Sequence, residues 1–373
     1  SALGANTTAD GNTGVGFSAL LANTIGDRNT ALGWSAMATN VDGDRNVAIG
    51  YGAMQTFEPA NTATYNTAVG YVAGNAMTTA INNTFIGGLA NAIGVPGNQN
   101  TAVGSQAMYN NADVENTGIG YAALNANTSG GYNTAVGSNV MSVNTTGDSN
   151  VAVGQNALDA NTTASNNVAI GAAALGANTT GTNNVMVGNS AGDAITTSNN
   201  NTGVGHDVLG ANTSGDTNTA MGSTALNTNT TGSNNVAVGF GALTANTSAA
   251  DNVSVGTASL YVNTTGASNV AVGSNALQQN TTAGNNTAVG TNALKNNTTG
   301  TLNVAVGKDA LNFNTTGDDC TAVGLDALYA NTTAHDNTAV GSRALDACTT
   351  GATNTSVGKS SMTTCTTGAN NTV

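Results

Sequence analysis

The chain has 373 residues, a formal net charge of −13, and charged residues make up only 7% of it. Six Lys plus Arg cannot line a phosphate-binding stripe, which argues against nucleic acid as a partner. No apolar run approaches the roughly 20 residues that span a bilayer, so membrane insertion by this segment is not expected.

From the first residues on, one unit repeats. The anchor is Asn, then Thr or Val, a small residue, an aliphatic residue and Gly. It reads Asn29-Thr30-Ala31-Leu32-Gly33, then Asn46-Val47-Ala48-Ile49-Gly50, and continues to Asn354-Thr355-Ser356-Val357-Gly358. Most anchor glycines lie 17 residues apart. A short fixed period marks a stack in which one unit cannot bury a core alone. With the anchor Asn as position 1, position 4 is always Val, Ile, Leu or Met. Position 9 is Leu or Met in nearly every unit, with Gly74, Asn91 and Gly192 as exceptions. In most units positions 12 to 14 read Asn-Thr-Thr or Asn-Thr-Ser, as at Asn144-Thr145-Thr146.

Seventeen residues are too few for a strand, a helix and two turns. The Gly and turn residues also break helices. The expected fold is therefore all-β: a parallel β-solenoid, or β-roll, with two short strands per coil. Coils stack ~4.8 Å apart, so about 21 of them would form a rod roughly 100 Å long. Side chains alternate across a strand. Placing the large position-4 residue inside puts position 2 inside as well and turns position 3 outward. Position 9 then fills the interior from the second wall. Stacked Asn columns should form amide ladders. The whole of 1–373 reads as one continuous array cut from a longer chain.

Taken in order, the coils of about 51–120 are irregular and those of 121–373 are regular. The interval from Gly50 to Gly70 has three extra residues around Phe57-Glu58-Pro59, and that from Gly104 to Gly120 is one short. These read as bulged loops on the stack. Early in the chain Phe17, Trp34, Tyr51 and Tyr71 occupy position 6 of four successive coils, and stacking should set their rings one above another. Such a strip is either a stabilising stack or a surface for a sugar or a partner. If position 3 is outward, its small residues, such as Ala31, Ala48 and Ala68, form a long weakly polar strip suited to packing of chain on chain. Phe85 and Met186 are its large exceptions.

The Asn-x-Thr/Ser triplets at position 12, Asn127 and Asn144 among them, match glycosylation acceptors but are also what a turn followed by a polar ladder requires. Near the end, Cys348 and Cys365 replace the position-12 Asn of adjacent coils and should lie ~4.8 Å apart, within disulfide range. They are a candidate bridge, while Cys320 has no partner. His206 and His335 are isolated, and Asp148 and Asp318 read as turn formers. No nucleophile, base and orienter come together, no zinc spacing occurs, and no cofactor motif is present. No catalytic or metal residue is assigned.

Segments such as Asn167-Val168-Ala169-Ile170-Gly171 resemble the repeats in head domains of trimeric autotransporter adhesins, with similar repeats in some tail-fibre-like proteins. The resemblance implies a left-handed β-roll, three chains side by side, and adhesion outside the cell. The unit here is longer than the compact repeat typical of that family. The expected function is an extracellular or virion fibre segment that self-associates and binds a surface glycan or receptor. Alternatives are an ice-binding solenoid using the position-13 and -14 Thr columns, a tail-fibre receptor-binding shaft, and a carbohydrate-acting solenoid enzyme.

Overall fold

The computed structural model describes residues 1–59 and 63–373. Every regular element among them is a β-strand. The chain divides into two compact units, Ser1–Asn184 and Val185–Val373.

The first unit runs from β1 (Thr13–Val15) to β10 (Val168–Ile170), the second from β11 (Val185–Val187) to β21 (Thr355–Val357). Within each unit every strand pairs parallel with the next, position for position: Ala135 faces Ala152 in the first, Ala271 faces Ala288 in the second. This is a β-solenoid. The irregular intervals keep register, since Thr67 pairs with Val47 across the longer one and Thr117 with Thr101 across the shorter. The slack lies outside the strands. Residues 60–62 of the longer interval are outside the described residues.

Each coil has one three-residue strand, at positions 2 to 4, where two strands were expected. The second wall is not extended, because its residues at positions 7 and 9 take the left-handed conformation, as Asn156 (φ 56°) and Leu158 (φ 50°) do. The wall stays bonded to its neighbours all the same. Leu158 N donates to Ala174 O at 3.0 Å and Asn156 N to Ser138 O at 3.1 Å. A turn thus replaces the second strand without orphaning its backbone groups.

The orientation of the strand reverses the sequence-based expectation. Position 3 is inside: Ala31, Ala48, Ala152 and Ala271 are wholly buried. Position 4 is outside, with Val15 54% and Leu32 47% exposed. Position 2 shares that outer face and is mostly half-buried. The reason is the thinness of the coil. The position-9 side chain, fully buried as in Leu158 or Leu277, crosses the interior and leaves room only for a methyl opposite. Position 8 closes the same layer with another buried Ala.

Exceptions to the pattern compensate one another in volume. Where Gly74 vacates position 9, the Phe85 ring of the next coil moves in, 2.9 Å from where a Cβ on Gly74 would stand. In the second unit Gly192 faces Met186, and Gly203 beside it leaves space for the same thioether: an added Cβ there would lie 2.5 Å from Met186 Sδ. The two large residues at position 3 are therefore core fillers. Chemistry is exchanged in pairs as well. Ser254 and Ser259 replace the facing alanines of one coil, and their hydroxyls lie 2.6 Å apart. Ser356 and Ser361 repeat the pair.

Two amide ladders run through the core. In the first, Asn150 N donates to Asn133 Oδ1 at 2.9 Å, while Asn150 Nδ2 donates to Ala164 O at 2.9 Å. In the second, Asn144 Nδ2 donates to Asn127 Oδ1 (2.8 Å) and to Gly147 O (3.0 Å). The expected stacking of Asn is found in both columns. Cys320 fills its ladder position by similar bonds: its N donates to Asn303 Oδ1 and its Sγ to Ala334 O. Burial pushes that thiol up to about 11. Where a residue other than Asn enters the second ladder, an acceptor is left over. Asn40 Oδ1 is unpaired below Phe57, and Asn331 Oδ1 below Cys348. Asn91, which stands where a core Leu belongs, is buried with both amide atoms unpaired.

Candidate functional site: an aromatic ladder beside an aliphatic face

The bend at the position-5 Gly throws position 6 outward, so the four aromatic side chains project from successive turns of the first unit. Their rings stack as expected. Phe17 and Trp34 are 6.0 Å apart between centroids, Trp34 and Tyr51 4.8 Å, Tyr51 and Tyr71 5.5 Å, with interplanar angles of 13°, 7° and 18°. All four are exposed, between 43% and 64%. Inner rings cover one another's faces and offer only edges. The outer face of Tyr71 is different. The next rung is Gly88, and nothing lies within 4 Å of where its Cβ would be. The ladder therefore ends at a step, with no further ring stacked on the far side of Tyr71.

Two residues before each rung stands position 4. Its Val, Leu, Ile and Met side chains form an outward aliphatic column in each unit, and its most exposed members include Val15 and Leu32 in the first and Met221 and Val357 in the second. Sequence reasoning missed this surface by assigning its residues to the core. A signal for it was available: position 1 is an Asn that must be paired inside, and alternation puts position 3 on the same side and position 4 on the other. A second aromatic pair, Phe313 and Tyr329, meets edge to face at 5.0 Å in the second unit.

The other candidates resolve into structural roles or stand apart. The position-12 asparagines are buried and donate to carbonyls of their own turns, as Asn127 and Asn144 do to Gly130 and Gly147. Their amide nitrogens are therefore committed in the folded chain. Asp148 and Asp318 cap the preceding coil, accepting from Gly131 N at 2.8 Å and Thr301 N at 2.6 Å. His206 lies 3.2 Å from Asp207, and His335 Nδ1 accepts from Asp318 N at 3.0 Å. Desolvation by burial, with Asp207 nearby, holds the Asp193 carboxyl above the usual range. No group of three His, Cys, Asp or Glu converges among the described residues, and no pocket opens there. Position-13 threonines are occupied by the protein itself, as Thr145 Oγ1 donates to Thr162 O at 2.9 Å. Position-14 threonines such as Thr146 are exposed, and so are some of those at position 13, Thr128 and Thr230 among them. Cys348 and Cys365 are free thiols, each directed at a carbonyl of its own turn.

No protein-family model matches the chain, and a search of curated proteins finds no match.

Proposed function

We propose that this chain is a structural fibre segment, displayed outside a cell or on a virion, that associates with copies of itself through the aliphatic face of its strands and binds a surface glycan at its aromatic ladder. One observation carries the self-association: in both units the strand directs Val, Leu, Ile or Met to the outside. Apolar strips of that extent are uncommon on monomers. Each Å² of apolar area removed from water contributes about 25 cal/mol, and a register repeated in every coil lets the gain accumulate. The resemblance to adhesin head domains makes three the expected number of chains.

Light scattering and native mass spectrometry test this. Replacing Val306, Val323 and Val340 with Lys, Glu and Lys alters three outward side chains, each 36–37% exposed, with alternating charge to avoid repulsion along the column. The expected result is dissociation to monomers with unchanged circular dichroism. A wild-type chain that is monomeric at micromolar concentration would remove the proposal.

Adhesion rests on the far side of Tyr71, where no further ring stacks. A pyranose ring placing its C–H face there would occupy the vacant rung above Gly88, at the spacing the ladder already sets. Tyr71→Ala should abolish binding on a glycan array, while Tyr121→Ala, an isolated ring 54% exposed, should leave it intact. Equal binding by both variants, or none by the wild type, would count against a glycan site at the ladder.

A further inference from the structure

The thiols of Cys348 and Cys365 have no part in the fibre reading, and their placement points to a modification site. They occupy the same position of consecutive coils. The backbone on either side locks that register, since Thr349 N donates to Thr366 O at 2.8 Å and Leu345 N to Ser361 O at 3.0 Å. Each cysteine also closes its turn in the same way, Cys348 N to Leu345 O at 3.2 Å and Cys365 N to Met362 O at 3.3 Å. Two Cα atoms one rung apart, ~4.8 Å, lie in the range that a disulfide spans. Each Sγ donates to a carbonyl of its own turn, Gly351 O at 3.3 Å and Gly368 O at 3.5 Å. These are weak bonds, since a thiol is a poor donor. Cys348 also interrupts the amide ladder, leaving Asn331 Oδ1 unpaired.

We propose that Cys348 and Cys365 form an intrachain disulfide when the folded chain meets a low-molecular-weight disulfide such as oxidised glutathione. Cys365 is partly exposed and Cys348 is buried, which fixes the order of events. The Cys365 thiolate attacks one sulfur of the reagent, forming a mixed disulfide and releasing one thiol. Cys348 then loses its proton to solvent and attacks Cys365 Sγ, releasing the second. Two protein thiols are oxidised and one reagent disulfide is reduced to two thiols. Burial raises the Cys348 thiol above its ordinary range, so the second step is the slower one and quickens with rising pH.

The test treats the full native chain with oxidised glutathione, then counts thiols in denaturant and maps peptides by mass. The three thiols should fall to one, which peptide mapping should place at buried Cys320, and the chain mass should drop by two hydrogens. Closure of this short loop should slow amide exchange between the two cysteines by about a hundredfold. Cys348→Ser should instead hold a stable glutathione adduct on Cys365, which separates the two steps. Persistence of that adduct in the wild type, or a disulfide joining Cys365 of two chains, would overturn the assignment.

Discussion

Gly120→Ala is expected to destabilise the first unit by more than about 3 kcal/mol. Two effects add at this residue. Its φ of +129° is one that residues with a side chain rarely adopt. Its Cβ would also stand 2.2 Å from Gly137 O in the next coil. That oxygen belongs to backbone held at 2.8 Å by the bond from Gly137 N to Ile119 O, so neither side yields without breaking ladder bonds. Gly131→Ala is the control, since it has no positive φ and its nearest neighbour would be 3.5 Å from the new methyl. It should change stability by less than about 0.5 kcal/mol. Because stacked repeats fail locally, amide exchange of strands Thr117–Ile119 and Thr134–Val136 is the sharper measurement alongside urea denaturation. Equal protection in the two variants would mean that the coil spacing is elastic.

Asn144→Ala is expected to cost about 2–4 kcal/mol. Its side chain makes three bonds in the buried ladder: to Asn127 Oδ1, to Gly147 O, and from Asn161 Nδ2 at 2.7 Å. Gly147 O keeps a second donor in Asn133 Nδ2 at 2.8 Å, and Asn161 Nδ2 keeps Ala164 O at 3.1 Å. The loss therefore falls on Asn127 Oδ1, which has no other donor, and on the cavity. Thr146→Ala two residues later, at an exposed position, should be near neutral. The fold already carries single orphans at Asn40 and Asn331, so the variant should fold, with its reduced stability visible in denaturant titration. A cost no greater than that of Thr146→Ala would show that the amide column fills space without holding the coils together.

Much of the architecture was legible because it depends on repetition. Identical residues at a fixed interval can satisfy their backbone groups only by pairing coil to coil, and the buried Asn columns follow from the same register. The aromatic ladder was readable for this reason as well: rings at one position of successive coils have to stack. Two local features were not legible. The second wall looked like a strand because its sequence carries no signal for left-handed backbone at residues such as Leu158 and Leu175, which are poor candidates for it in isolation. The facing of the strand was read from side-chain size, which fails where the interior is only one side chain thick.

The sequence by itself determined the coil length, the parallel stacking and the amide ladders, because each follows from period and register. Only the tertiary structure decided which side of each strand meets water. A Leu reaching across a narrow coil excludes a second large residue, so Ala turns inward and Val turns out, and the surface proposed for self-association comes from that steric choice.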